Sequence, residues 1–136
     1  MLIYVADDNP DTLSQIEGVL TKSFKNRSTV AKYATCNGVL SAIEHKTPGI
    51  LIMDLCMEGG YQKDLERAAA GASMSFRVIR EAVGKGVKVI VLTNLDKDDA
   101  LAQEYGVHAW LNKFQHLDKN HGLGLVRCVQ GILPPQ

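Results

Sequence analysis

The stretch GILIMDLCMEGG, residues 49–60, contains a short apolar run that ends in a single carboxylate. The run Ile50–Met53 is too short for an ordinary helix and is typical of a strand buried on both faces of a sheet. Asp54 follows directly, and an unpaired carboxylate is costly to bury. The sequence therefore predicts a buried strand whose end carries a carboxylate with either a partner or a chemical use.

Short apolar runs alternate with amphipathic stretches on both sides of this strand. The predicted strands cover residues 2–6, 28–35, 50–53, 87–92 and 107–111, and the predicted helices cover 12–24, 37–46, 73–86, 96–106 and about 117–132. Either Asn9 or Asp11 is suited to cap the first helix, and Pro10 suits its first turn. Strands of continuous apolar residues alternating with helices predict an α/β fold, with a five-stranded, doubly wound parallel sheet in three α/β/α layers.

Length and charge narrow the class of protein. A chain of 136 residues with 46% apolar residues predicts one globular domain, and its 15 basic and 15 acidic residues leave no net charge. That balance does not favour a nucleic-acid or membrane surface, and no apolar run is long enough to span a bilayer. The cysteines Cys36, Cys56 and Cys128 lack metal-binding spacing, which together with the absence of a signal-peptide pattern predicts reduced thiols in the cytoplasm.

Polar side chains follow the predicted strands at the edge where ligands bind in such sheets. Asp7 and Asp8 follow strand 1, Asp54 strand 3, Thr93 strand 4 and Lys113 strand 5. Clustered carboxylates repel one another unless a cation neutralises them, and Mg²⁺ suits such a site. A lysine and a hydroxyl suit phosphoryl oxygens. The set predicts phosphoryl transfer with Asp54 as the nucleophile, which becomes an aspartyl-phosphate.

With these residues in place, the sequence resembles the receiver domain of two-component response regulators. The segments YVADD, ILIMDLCM, VIVLTN and YGVHAWLNKF carry the resemblance, in the family's order and over nearly the whole chain. It implies a flavodoxin-like fold with strand order 2-1-3-4-5. It also implies a single receiver domain over residues 1–136, in which 58–73 form an extended loop between strand 3 and helix 3, and 133–136 are a tail or the start of a linker.

The resemblance implies a partner and a cofactor. Asp54 would accept a phosphoryl group from a phosphohistidine on a sensor histidine kinase or a histidine phosphotransfer protein. Thr93 and Lys113 would hold the phosphoryl oxygens. Mg²⁺ would be held by oxygen atoms of four residues, namely Asp7, Asp8, Asp54 and the backbone carbonyl of Cys56. Such a domain is a signalling module rather than an enzyme, because its only chemistry is its own phosphorylation and autodephosphorylation.

A conformational switch is implied as well. Trp110 occupies the position of the family's switch aromatic residue. In the family, the residue at the position of Thr93 shifts toward the phosphoryl group and the aromatic ring follows inward. The face formed by helix 4, strand 5 and helix 5 is then remodelled for a downstream partner or for a homodimer.

Two departures from the family pattern precede the fourth strand. Glu58 follows Met57, where the family usually has proline. More residues separate Asp54 from Thr93 than the family usually has, and the excess lies in residues 58–73. This segment is predicted to be a solvated loop, a docking element or a flap over the site.

Two further departures lie beside the site. Phe114 follows Lys113, where the family has a proline after a typically cis bond. Without proline a cis bond costs ~3 kcal/mol, so a trans bond is predicted here. Asn94 follows Thr93, where the family usually has a small residue. We expect its amide to obstruct water or bind the phosphoryl group, and so to prolong the phosphorylated state.

Two other functions fit parts of the sequence. A degenerate receiver that binds proteins without phosphorylation is favoured by the unusual loop and the missing prolines, and disfavoured by the intact acidic set. An aspartate-nucleophile phosphatase is disfavoured, because such hydrolases typically carry a second Asp two residues after the nucleophile and this chain has Cys56 there. Whether the chain stands alone or belongs to a larger protein stays open at this point.

Overall fold

A computed structural model describes residues 1–57 and 73–135 of the chain. Its five strands form one parallel sheet in the order β2-β1-β3-β4-β5. The strands are β1 (Leu2–Ala6), β2 (Thr29–Tyr33), β3 (Ile50–Met53), β4 (Lys88–Thr93) and β5 (Ala109–Asn112). The predicted fold class and strand order are therefore confirmed.

Helices connect the strands and cover both faces of the sheet. They are α1 (Pro10–Phe24), α2 (Cys36–His45), α3 (Met74–Gly84), α4 (Asp99–Tyr105) and α5 (Leu123–Ile132). Asn9, rather than Asp11, caps α1, because its side chain accepts hydrogen bonds from the first free backbone N–H groups of the helix. Thr35 caps α2 in the same way, through a 2.9 Å hydrogen bond from the Gly38 N–H.

The apolar side chains form two cores, one on each face of the sheet. Successive strand residues point to opposite faces. Ile50 and Ile52 pack with α1 and α5, whereas Leu51 and Met53 pack with α2, α3 and α4. Both faces of β3 are thus buried, which is why its sequence is continuously apolar. The three-layer arrangement is confirmed.

The prediction of one helix over about 117–132 is wrong at its start. A single π-helical turn covers Phe114–Asp118, and α5 begins only at Leu123. Between them Asn120, His121 and Gly122 have positive φ angles of 52°, 54° and 76°, so a right-handed helix does not pass through them. A Cβ atom at position 122 would lie 3.0 Å from the side chain of Val19, so this glycine also lets the turn approach α1 closely.

Other boundaries differ by a few residues. The fourth helix begins at Asp99 rather than residue 96, because the Asp98 side chain accepts a hydrogen bond from the Leu101 N–H and caps it there. The fifth strand covers Ala109–Asn112 rather than 107–111, so Asn112 lies on the sheet.

Two predicted segments lie partly outside the described residues. Of the predicted loop 58–73 only Ser73 is described, and its hydroxyl caps α3 through the Phe76 N–H at 3.3 Å. Of residues 133–136, Leu133 is buried, and the Pro134 carbonyl accepts a hydrogen bond from the Arg27 guanidinium at 2.5 Å.

In the two described ranges, 1–57 and 73–135, none of the helices combines the length and the apolar character that a membrane crossing requires. The cysteines are free thiols, with Cys36 buried, Cys56 exposed and Cys128 partly exposed.

Candidate functional site

The sheet brings three carboxylates together at one edge. Adjacent strands β1 and β3 end side by side, and the backbone pairing continues one residue further, since the Asp54 N–H donates to the Ala6 carbonyl at 3.0 Å. The Asp7 N–H donates to the Tyr33 carbonyl of β2 at 3.1 Å. Carboxylate oxygens of Asp7, Asp8 and Asp54 lie within 4.8 Å of one another. Asp7 is 1% exposed and Asp54 5%, whereas Asp8 faces solvent.

Lys113 bridges the two buried carboxylates. Its Nζ lies 2.7 Å from Oδ2 of Asp7 and 2.8 Å from Oδ2 of Asp54. Burial alone would lower the pKa of this ammonium, but the hydrogen bonds and charges of Asp54 and Asp7 outweigh it and raise the pKa above its usual value. Lys113 therefore stays protonated between the two carboxylates.

The two oxygens of Asp7 differ in their contacts. Its Oδ1 accepts a hydrogen bond from the Asn9 N–H at 2.9 Å, and within residues 1–57 and 73–135 the buried Oδ2 is held by the Lys113 ammonium at 2.7 Å and by no other donor. Burial raises the pKa of this carboxyl group, against the opposing effect of Lys113. Three carboxylates within 4.8 Å of one another, with one ammonium between two of them, fit a hard cation such as Mg²⁺, which binds oxygen ligands.

The two oxygens of Asp54 have different partners. Oδ1 accepts a hydrogen bond from the Cys56 N–H at 3.1 Å, and Oδ2 accepts one from Lys113. Cys56 Sγ lies 4.0 Å from the hydroxyl of Thr93, which places Thr93 at the same edge. Desolvation, followed by the negative charge of Asp54, raises the pKa of the Cys56 thiol, so its reactive thiolate form is disfavoured.

Thr93 is connected to Trp110 through one residue. The Thr93 hydroxyl accepts a hydrogen bond from the Leu95 N–H at 3.4 Å, and the Leu95 carbonyl accepts one from the indole N–H of Trp110, also at 3.4 Å. Trp110 is only 7% exposed and packs into the core with α2, α3 and α4. The ring thus already lies inside the protein, whereas the inward shift of Trp110 stays a prediction.

Each of the remaining predicted residues is next to a site residue in the chain. Asn94 is exposed, and Met57 is buried in the core. The Lys113–Phe114 bond is trans, as predicted. The Phe114 side chain is 55% exposed and has the ammonium of Lys119 above its ring, 5.4 Å from the centroid.

The sequence interpretation missed Asn112 and His116. The Asn112 side chain accepts a hydrogen bond from the Gln115 N–H at 3.1 Å, and His116 Nδ1 lies 3.1 Å from the Asn112 carbonyl. A pattern in the sequence marks this turn, because Asn followed three residues later by Gln is typical of a capped helix start. The predicted helix start at residue 117 leaves this pattern out.

No protein-family model and no curated protein sequence matches the chain. Solved structures do match it. A DNA-binding response regulator of the LuxR family from Staphylococcus aureus has a TM-score of 0.71 at 17% identity, covering 96% of this chain and 97% of that one. The BeF3-activated N-terminal receiver domain of Klebsiella pneumoniae RstA has a TM-score of 0.68 at 18% identity, covering 97% of this chain and 98% of that one. Chemotaxis response regulator CheY4 of Vibrio cholerae has a TM-score of 0.68 at 13% identity, covering 97% of this chain and 98% of that one. The chain therefore has the receiver-domain fold.

Proposed function

We propose that this receiver-fold domain is a phosphoacceptor of a two-component system or phosphorelay, with Asp54 as the acceptor. One observation carries the proposal, namely that the Lys113 ammonium lies within 2.8 Å of oxygens of two buried carboxylates, Asp7 and Asp54. Two buried carboxylates and a lysine are costly to assemble for stability alone. They suit a site that binds a cation and a phosphoryl group.

In the proposed reaction an Asp54 carboxylate oxygen attacks the phosphorus of a phosphohistidine. An O–P bond forms and the N–P bond breaks, and the imidazole keeps the electron pair and takes a proton from solvent. Bound Mg²⁺, held by Asp7, Asp8, Asp54 and the Cys56 backbone carbonyl, would neutralise charge on the carboxylates and the phosphoryl oxygens. Lys113 is already within reach of Asp54 and stabilises the charge of the transferred group.

Thr93 connects this chemistry to the proposed switch. When its hydroxyl turns toward a phosphoryl oxygen, Thr93 releases the Leu95 N–H. The carbonyl of the same Leu95 accepts the hydrogen bond of the Trp110 indole. The segment between β4 and α4 then rearranges together with Trp110. The face formed by α4, β5 and α5 becomes the surface for a downstream target or a second copy of the domain.

The proposal extends to the cellular setting. The phosphoryl donor is a sensor histidine kinase or a histidine phosphotransfer protein, and the chain is a single receiver domain over residues 1–136 in the cytoplasm. It is a signalling module, and its own phosphorylation and autodephosphorylation are its only reactions. It binds neither nucleic acid nor membranes directly, consistent with its zero net charge.

The proposal is tested by incubating the protein with an acyl phosphate and Mg²⁺. We expect the intact mass to increase by one phosphoryl group, and removal of Mg²⁺ with EDTA to prevent the increase. Trp110 is the only tryptophan, so its fluorescence should change as the adduct forms. No adduct with or without Mg²⁺, together with no fluorescence response to beryllofluoride, would contradict the proposal.

That negative outcome would support the second candidate, a module that binds proteins without phosphorylation. The Trp110 ring favours this candidate, because it is already buried and hydrogen-bonded to the Leu95 carbonyl without a phosphoryl group to draw it inward. The buried carboxylates argue against it, since a fixed binding module has no use for them.

Replacing Asn94 with Ala is expected to shorten the lifetime of the phosphorylated state. The exposed Asn94 amide follows Thr93 directly, and we expect it to obstruct attacking water or to bind the phosphoryl group. We expect dephosphorylation to accelerate roughly two- to tenfold, or about 1 kcal/mol in barrier height. The decay of the adduct is followed by intact mass after the donor is removed. Asn26→Ala, which changes another exposed Asn, is the control, and equal decay rates in all three proteins would refute the role of Asn94.

A further inference from the structure

We propose that Asn112 is a positioning residue for Lys113, and that His116 and Gly124 support it. Asn112 caps the helical segment that begins at Lys113 and continues into the π-helical turn Phe114–Asp118, and so fixes the backbone from which the lysine reaches the carboxylates. The inference rests on the proposed function. It assigns a role to three residues that have none in the sequence interpretation or in the resemblance.

The backbone around Lys113 has the geometry of a capped helix start. Asn112 is the last residue of β5 and pairs in register with Thr93 of β4, so its position is set by the sheet. Lys113 already has helical angles, with φ −57° and ψ −45°. The Asn112 Oδ1 accepts the Gln115 N–H at 3.1 Å, three residues on, which is the hydrogen bond of an N-cap.

His116 closes the same turn from its other side. Its Nδ1 lies 3.1 Å from the Asn112 carbonyl, and since a carbonyl only accepts, Nδ1 carries the hydrogen. A Cβ atom at position 124 would lie 2.7 Å from His116 Cδ2 and 2.9 Å from its Cα. Gly124 therefore lets α5 press directly against His116 and hold it in place.

The far end of the turn is attached to α1. The Gln15 side chain donates a hydrogen bond to Asp118 Oδ1 at 3.0 Å. The residue after the lysine offers no comparable anchor, because the Phe114 ring is mostly exposed. Asn112 and His116 thus make the side-chain hydrogen bonds that close the turn around the Lys113 backbone.

This restraint matters because Lys113 must meet two carboxylates at once. Its Nζ lies 2.7 Å from Asp7 Oδ2 and 2.8 Å from Asp54 Oδ2. A lysine side chain has several rotatable bonds, so its ammonium can adopt many other positions unless the backbone is held. If the turn frays, the ammonium no longer bridges the carboxylates, and a shift of ~1 Å in a reacting group is enough to cost up to about a hundredfold in rate.

The test compares Asn112→Ala, which removes the cap, with Asn112→Ser, which keeps a capping oxygen. We expect Asn112→Ala to slow phosphorylation by acyl phosphate about ten- to a hundredfold and Asn112→Ser to recover most of the rate. Mg²⁺ binding, followed by Trp110 fluorescence, should stay as tight or become tighter, because a displaced ammonium competes less with the cation. Thr35→Ala, which removes an equivalent cap from α2, should leave the rate unchanged.

An NMR measurement tests the same inference without phosphorylation. An ammonium held between carboxylates exchanges its protons slowly enough to give a ¹H–¹⁵N signal, which is assigned by its loss in Lys113→Gln. We expect the signal in the wild type and in Asn112→Ser, and its loss in Asn112→Ala and His116→Ala.

The possible results separate the inference from the proposed function. If Asn112→Ala keeps both the ammonium signal and the wild-type rate, Asn112 does not position Lys113. A loss of rate that persists in the Lys113→Gln background, or that comes with weaker Mg²⁺ binding, also overturns the inference, because the effect then does not act through the lysine. If the wild type takes up no phosphoryl group, the proposed function is wrong, and the ammonium signal still decides the role of Asn112.

Discussion

Replacing Asp54 with Asn is expected to abolish phosphoryl uptake while leaving the fold intact. The amide matches the carboxylate in shape, and its oxygen still accepts the Cys56 N–H, which donates to Oδ1 at 3.1 Å. It carries no negative charge, however, so it neither attacks phosphorus nor pairs with Lys113 as a carboxylate does. Intact mass after incubation with acyl phosphate and Mg²⁺ should show no adduct, and circular dichroism should match the wild type.

Two other carboxylates serve as controls for Asp54→Asn. Asp11 is exposed at the start of α1, so Asp11→Asn should be phosphorylated normally. Asp7→Asn keeps the nucleophile but loses a proposed Mg²⁺ ligand, so we expect slower uptake that higher Mg²⁺ concentrations partly restore. A full phosphoryl adduct on Asp54→Asn would show that another residue is the acceptor.

Replacing Lys113 with Gln is expected to slow phosphorylation about 10²- to 10³-fold, the usual cost of removing a group that stabilises charge in a transition state. The ammonium lies 2.8 Å from Asp54 Oδ2, and its raised pKa keeps it charged over the whole practical pH range. Gln is polar and of similar length but neutral. The rate is measured as the time course of the mass adduct at saturating Mg²⁺.

The same variant should bind Mg²⁺ more tightly. Removing the ammonium leaves Asp7 and Asp54 without their cationic partner, so a metal ion meets less repulsion. Lys119→Gln is the matched control, because Lys119 belongs to the same segment but is exposed and lies over the Phe114 ring. A phosphorylation rate of Lys113→Gln equal to that of Lys119→Gln would exclude the proposed role of Lys113.

The parts of the fold that the sequence predicts are those set by local patterning. Ile50–Met53 is continuously apolar because both of its faces are buried, and this run together with the alternating helices predicts a central parallel strand. The polar residues that follow each strand were expected to meet, and carboxylates of Asp7, Asp8 and Asp54 do so. That convergence follows from the parallel direction of the strands rather than from any side-chain preference.

Tertiary packing sets the parts that the sequence interpretation did not predict. The segment between Lys113 and α5 includes Asn120 and Gly122, residue types that tolerate positive φ, and both adopt it together with His121. This conformation depends on the contact of Gly122 with Val19, about a hundred residues away in the chain. Periodicity within a short window contains no information about such a contact.

The ion pairs of the site depend on side-chain geometry in the same way. The sequence predicts that Lys113 lies near the carboxylates, but its placement between Asp7 and Asp54 depends on the turn that Asn112 caps. The burial of Trp110 and its hydrogen bond to the Leu95 carbonyl likewise follow from the path of the segment between β4 and α4.

Chemical trapping of the acceptor tests the central claim most directly. The protein is incubated with acyl phosphate and Mg²⁺ and then reduced with borohydride, which converts an aspartyl-phosphate to homoserine. Peptide mass spectrometry locates the converted residue. The account predicts homoserine at position 54 alone, in an amount that matches the mass adduct. Conversion at Asp7 or Asp8, or a complete absence of homoserine, would contradict it.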